Sequence, residues 1–125
     1  MKHVLLIEPG FYSRVQLDDE LAPYGFMVTS VKQVNSAIIK MKTQVFHLLL
    51  MSYDDDIEGG LRLLAALREA FNPLPVVMMT KKPTEDQLVR LMQFRPVEVI
   101  VKPYSLLDLV ERMETMIQAR KDAKD

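Results

Sequence analysis

The sequence predicts an α/β fold, a doubly wound (βα)5 parallel sheet with strand order 2-1-3-4-5. Three observations lead there. Short continuous apolar runs recur along the 125 residues: Val4–Ile7, Phe26–Val31, Phe46–Met51, Val76–Met79 and Val97–Val101. Runs of this length without polar alternation read as strands covered on both faces, as in a parallel sheet. Each is followed by a stretch with helical apolar spacing, and right-handed crossovers then place helices on both faces. The order 2-1-3-4-5 is one of the two common solutions for such sheets.

The elements follow in chain order. Leu17, Leu21 and Tyr24 mark the first helix, which Pro23 and Gly25 bring to an end. The second run contains Thr29 and Ser30, so it suits a sheet edge. Val34, Ala37, Ile38 and Met41 give the i, i+3, i+4, i+7 pattern of the second helix. Leu61, Leu64, Leu67 and Phe71 form the stripe of the third, with Pro73 closing it. Thr84-Glu85-Asp86-Gln87 matches a capping box ahead of Leu88, Leu91 and Met92. Ser105 is the expected N-cap of the last helix, with Asp108 near its positive end. Leu106, Leu109, Val110, Met113 and Ile117 line one face of that helix. The expected organisation is one domain over residues 1–125, with its core at about 3–117 and a polar tail, 118–125, that frays from Arg120 onward.

Composition excludes several function classes. Lys and Arg number 16 against 17 Asp and Glu, a net charge of -1, without the basic excess of a nucleic-acid-binding domain. The absence of cysteine rules out disulfides, thiolate zinc sites and a cysteine nucleophile. The apolar runs fall far short of the roughly 20 residues of a membrane span, and Val4–Ile7 is too short for a signal peptide. A cytoplasmic protein without membrane contact is expected. His3 and His47 have no metal-ligand spacing around them.

Sites in such folds lie beyond the C-terminal ends of the strands, at the switch between strands 1 and 3. Strand 1 ends in Glu8-Pro9, and strand 3 in Met51-Ser52-Tyr53 followed by Asp54-Asp55-Asp56. Strand 4 ends in Thr80-Lys81 and strand 5 in Lys102-Pro103. A carboxylate, two hydroxyls and an amine are thus expected to converge. A buried amine calls for an acidic partner, so a Glu8–Lys102 pair is expected to close the hole.

An acid after strand 1, Gly60-Leu61 opening a Leu-rich helix, Pro75-Val-Val-Met-Met-Thr80, and Val-Ile-Val-Lys102-Pro103 together resemble the response-regulator receiver domain of two-component signalling. The resemblance runs from about His3 to Ile117 and implies a flavodoxin-like fold. It implies phosphoryl transfer to an aspartate, with two acids and the acceptor holding Mg²⁺, a lysine neutralising charge, and a Thr or Ser bonding the phosphoryl oxygens. Thr80 and Lys102 match the hydroxyl and the lysine, and Pro103 matches a proline usually preceded by a cis peptide, which would aim Lys102 inward. The acids depart from the pattern. Pro9 stands where a second acid is usual, and the spacing back from Gly60 puts Ser52 at the acceptor position. Asp56 replaces a usual proline, Val99 the aromatic switch residue, and Lys81 a small residue.

Serine forms no acyl phosphate, and its hydroxyl needs a base to attack phosphorus. Mg²⁺ wants two or more carboxylates, and Glu8 is the one clear candidate. The expected function is therefore a degenerate, phosphorylation-independent receiver acting as a protein-interaction module. It is expected not to be an enzyme and to have no cofactor, with Mg²⁺ only if the pocket proves competent. Its partner would be a histidine kinase or an output protein. A homodimer through the fourth helix, fifth strand and fifth helix is compatible, with Val99 and Tyr104 on the partner face and Arg90, Arg95, Glu98, Glu111 and Arg112 as charges. Two alternatives stand beside this reading. One is an active receiver phosphorylated at a shifted acid, Asp54, Asp55 or Asp56. The other is a small flavodoxin-like ligand-binding or enzymatic domain, for which Gly59-Gly60 lacks the flanking pattern of a phosphate loop.

Overall fold

The computed structural model describes residues 1–53 and 57–124. Strands and helices alternate: β1 Lys2–Ile7, α1 Phe11–Leu21, β2 Phe26–Val31, α2 Val34–Thr43, β3 Leu48–Ser52, α3 Ile57–Glu69, β4 Val76–Thr80, α4 Glu85–Met92, β5 Val97–Val101 and α5 Leu106–Lys124. The strands pair in parallel in the order β2-β1-β3-β4-β5. The edge position of β2 explains why that strand tolerates Thr29 and Ser30.

Residue parity sorts the core into two layers. Leu5, Ile7, Leu49, Met51, Val76 and Met78 pack with Ala37 of α2, Leu61, Leu64 and Leu67 of α3, and Leu91 of α4. Val4, Leu6, Leu48, Leu50, Val77 and Met79 pack on the other face with Leu17 and Leu21 of α1 and Leu109, Val110 and Met113 of α5. Because both faces are covered, the central strands read as unbroken apolar runs. Each fully buried Leu, Val or Met contributes roughly 1.5–3 kcal/mol of transfer free energy. Among the described residues, no helix is long and apolar enough to cross a membrane.

The element ends have local causes. Gly25 takes φ 87 after a 3₁₀ turn at Ala22–Tyr24 and donates its N–H to Ala22 O at 3.0 Å, a left-handed position that glycine fills without a Cβ penalty. Thr84 Oγ1 accepts from Gln87 N at 3.1 Å while Gln87 Oε1 accepts from Thr84 N at 2.9 Å, a complete capping box at the start of α4. Ser105 Oγ accepts from Asp108 N at 3.0 Å at the start of α5.

Three details differ from the sequence expectation. β3 begins at Leu48, and Phe46 is buried just ahead of it. α5 continues through the polar tail to Lys124, because Gln118, Ala119, Arg120 and Lys121 are strong helix formers and Gln118 Nε2 donates to Asp122 Oδ1 at 2.9 Å. Phe71 leaves the α3 stripe altogether. The helix closes in a Schellman turn, with Asn72 N donating to Leu67 O at 2.9 Å and Phe71 N to Arg68 O at 3.0 Å. That turn puts Phe71 at φ 56 and leaves it 93% exposed. Arg68 holds the same corner, donating Nε to Phe94 O at 2.8 Å, Nη1 to Asn72 O at 2.7 Å and Nη2 to Pro96 O at 3.1 Å.

Candidate functional site

The C-terminal ends of β1, β3, β4 and β5 bring the sequence-predicted residues to one edge of the sheet. Glu8 extends the β1–β2 ladder by one bond, its N–H donating to Val31 O at 3.0 Å. Its side chain is buried, and Oε2 accepts from Gly10 N at 2.9 Å. Gly10 is the N-cap of α1 and has no side chain to offer, so the Glu8 carboxylate braces the turn. Arg14 Nη1 donates to Glu8 O at 2.9 Å and to Pro9 O at 3.0 Å, which pins the same turn from α1.

Ser52 closes β3 opposite Met79, is 4% exposed, and is followed by Tyr53, whose N–H donates to Met79 O at 2.9 Å. Thr80 ends β4 opposite Val101, and its carbonyl accepts from Lys102 N at 2.7 Å. The Lys102–Pro103 peptide is cis, and Lys102 Nζ donates to Ser52 Oγ. Lys102 thus reaches the Ser52 hydroxyl with its side chain and the Thr80 carbonyl with its backbone.

Glu8 is not joined to them. Among the described residues no ion pair links Glu8 to Lys102, contrary to the sequence expectation. The reason is local: the Glu8 carboxylate is turned back onto a backbone N–H two residues away, while the ammonium meets the serine hydroxyl. Asp54, Asp55 and Asp56 lie outside the described residues.

The expected partner-face residues, Val99 and Tyr104, are both partly buried. Val99 is partly buried and packs into the core layer shared with α3 and α4. Tyr104 packs against the opposite layer with α1 and α5. Burial holds its phenol above the ordinary value, and Glu20 and Glu8 add to that. Val99 follows the parity of β5, whereas Tyr104 lies in the loop after that strand.

Sequence reasoning passed over two charge contacts. Arg90 of α4 grips Glu58 in the first turn of α3 with two bonds, Nη1 to Oε1 at 2.9 Å and Nη2 to Oε2 at 3.0 Å. The Arg90 hydrogen bonds hold the Glu58 carboxyl below its usual range, and the same bonds raise Arg90. Thirty-two residues separate the two, so no local pattern announces the pair. Arg112 of α5 reaches Glu98 of β5 at 2.9 Å and Asp108 at 3.3 Å. The Asp108–Arg112 spacing of i, i+4 was the available signal for that one.

A Mg²⁺ ion at this edge would need several carboxylate oxygens in near-octahedral geometry. The described residues do not fit it. Glu8 Oε2 is engaged by Gly10, Pro9 has no donor, and Ser52 Oγ is held by an ammonium. Among the described residues no three His, Cys, Asp or Glu side chains gather at one point. At the other end of the sheet His3 and His47 are neighbours, but His47 Nδ1 accepts from His3 N at 2.9 Å. What the described residues hold at this edge is a hydrogen bond from the Lys102 ammonium to the buried Ser52 hydroxyl.

The profile of the response regulator receiver domain matches residues 4–114. The chain is 30% identical over 112 residues to the response regulator protein FleR of Pseudomonas aeruginosa, covering 87% of this chain and 24% of FleR. It is 27% identical over 120 residues to the phosphate regulon transcriptional regulatory protein PhoB of Rhizobium meliloti, covering 94% of this chain and 53% of PhoB. It therefore spans between a quarter and about half the length of these relatives. The receiver domain of the Francisella response regulator 1452 superposes with a TM-score of 0.83 at 17% identity, over 96% of this chain and 99% of that one. A profile match from residue 4 to 114, on a sheet wound in the expected order β2-β1-β3-β4-β5, makes this chain a member of the response regulator receiver domain family.

Proposed function

We propose that this receiver domain of two-component signalling is a protein-interaction module whose output does not depend on aspartyl phosphorylation. The observation that carries the reading is Ser52 at the expected acceptor position, buried and bonded to the Lys102 ammonium. In a working phospho-switch that lysine neutralises charge on the transferring group. Here it donates, among its interactions, to a neutral hydroxyl that forms no acyl phosphate. Pro9 and the engagement of Glu8 with Gly10 further weaken the case for a metal-assisted transfer.

Receiver domains generally interact with kinases or output domains. In this reading the module works in the cytoplasm, is not an enzyme, carries no cofactor, and binds a histidine kinase or an output protein in its resting conformation. The face formed by α4, β5 and α5 is also available to a second copy.

The test is an amide-resolved NMR titration with beryllofluoride and Mg²⁺, together with intact mass after acetyl phosphate. The expected result is no added phosphate and no saturable shift at Ser52, Thr80 or Lys102. A phosphate mapped to Asp54, Asp55 or Asp56, with shifts spreading into α4, would overturn the reading and make the chain an active receiver with a moved acceptor.

A further inference from the structure

His3 and His47 are joined twice at the N-terminal end of the sheet, where β1 begins and the α2–β3 loop feeds β3. His47 N donates to His3 O at 2.8 Å, and His3 N donates to His47 Nδ1 at 2.9 Å. The first bond is indifferent to pH, and the second is not. A neutral imidazole has one acceptor nitrogen and one N–H, so Nδ1 as the acceptor places the ring proton on Nε2. A second proton turns Nδ1 into a donor facing the His3 N–H, and that bond cannot survive it.

The surroundings offer the new charge no counterion. The groups that act on His47 are the His3 ring, tilted at 50° with its centroid 5.9 Å away, the N-terminal amine, and Arg120 of α5. None is an acid. α2, which leads into the loop, contributes Lys40 and Lys42 in its last turn. Glu114 of α5 is paired with Lys2 at 3.6 Å. Burial and these neighbours hold the His47 ring below its ordinary value, so the neutral, bonded form prevails at pH 7.

The break stays local. His47 is exposed and borders a hollow of about 430 Å³ lined by Met1, His3, Gln44 and Val45, so its ring has room to swing into water. Phe46 and Leu48 on either side of it are buried and keep the backbone in place. β1 is held from its other side, where Lys2 N donates to Gly25 O at 3.3 Å.

We propose that His47 is a proton-operated clasp between β1 and the α2–β3 loop. Neutral, it closes over the His3 N–H. Protonated, its ring leaves, bares that N–H and opens the hollow beside Val45. The clasp works at the opposite end of the sheet from Ser52 and Lys102, so it is read out at different residues from the proposed function.

The experiment is NMR of the full chain between pH 7.5 and 5.5, following the His47 ring nitrogens and the exchange protection of the His3, Leu5 and Leu49 amides. At pH 7.5 the His47 ring is expected to carry its proton on Nε2. As the ring titrates below about 6.5, the His3 protection factor is expected to fall at least fivefold, with Leu5 and Leu49 unchanged. His47→Gln keeps an acceptor and loses the titration, so His3 should stay protected at every pH. His3→Gln keeps the backbone N–H, so residue 3 should still lose protection as His47 titrates. A ring protonated on Nδ1 at pH 7.5 would overturn the proposal, and so would His3 protection that ignores the His47 titration. Equal loss at Leu5 and Leu49, a pH step that survives His47→Gln, or one that vanishes in His3→Gln would overturn it as well.

Discussion

Replacing Ser52 by Ala and Lys102 by Met, singly and together, measures how far the ammonium–hydroxyl pair serves as a structural plug. Ser52 is 4% exposed, so losing its donor leaves a largely buried hydroxyl without that partner. That costs about 1–3 kcal/mol, and hydrogen bonds to charged groups contribute about 1.5–3 kcal/mol. Lys102 is only partly buried and can turn its ammonium toward solvent once Ser52 is gone. Ser52→Ala should therefore fall near 1 kcal/mol, at the low end of that range. Lys102 has other interactions as well, so its single variant overstates this one bond. The double-mutant cycle removes that excess, and a coupling of about 1.5 kcal/mol is expected. For 125 residues the unfolding entropy is roughly 0.26 kcal/mol per kelvin, so a 1.5 kcal/mol loss lowers the melting temperature by about 6 °C. Urea unfolding of the four proteins gives the coupling directly. A coupling below about 0.3 kcal/mol, the level at which independent sites add, would refute the plug.

Three further perturbations test other parts of the molecule. Arg68→Met removes three charge-assisted bonds to backbone carbonyls and is expected to cost about 2–3 kcal/mol; a melting temperature within 2–3 °C of the parent (about 0.5–0.8 kcal/mol) would show that the α3–β5 corner holds without it. Phe71→Gly relieves a left-handed residue while exposing no new apolar surface, so a gain of about 0.5–1 kcal/mol is expected as a higher urea midpoint at unchanged slope. His47 is held below its ordinary value by burial first, then by His3, the N-terminal amine and Arg120. The unfolded chain therefore binds the proton first as pH falls below about 6.5, and stability drops from there down to the folded value. His47→Gln, which keeps an acceptor for His3 N–H, should flatten that part of the urea-midpoint curve between pH 7.5 and 5.5; an unchanged slope would remove His47 from the linkage.

The sheet was legible because a strand buried on both faces leaves an unbroken apolar run, and β1, β3 and β4 are buried in that way. Thr84 and Ser105 were legible because caps are local, with donor and acceptor three residues apart. Phe71 misled because it sits four residues beyond Leu67, on the same stripe, and the Schellman turn that ejects it has no glycine to announce it. At the candidate site, strand register places Ser52, Thr80 and Lys102 at neighbouring strand ends, with Ser52 and Lys102 bonded through their side chains. The Glu8–Lys102 pair failed because charge alone was used to choose partners. A backbone N–H at a bare N-cap glycine competes for the same carboxylate, and that competition is decided by the geometry of one turn. The packing of Tyr104 was not legible, because the direction of a loop residue after Pro103 depends on which core layer has room for its ring. The Arg90–Glu58 grip joins two helices that no short-range pattern connects.

Arg112 already bridges Glu98 and Asp108 within one copy, across the face formed by β5 and α5. A partner that docks there with its own acid must first displace one of these carboxylates, so it exchanges a contact instead of adding one. Such exchange favours discrimination over tightness: a wrongly placed acid leaves Arg112 where it was, while a well-placed one merely breaks even in charge. Association through this face should then respond weakly to ionic strength, because salt loosens the internal bridge and the intermolecular one together. Its tightness would have to come from apolar contact at the exposed Val101 and Leu107.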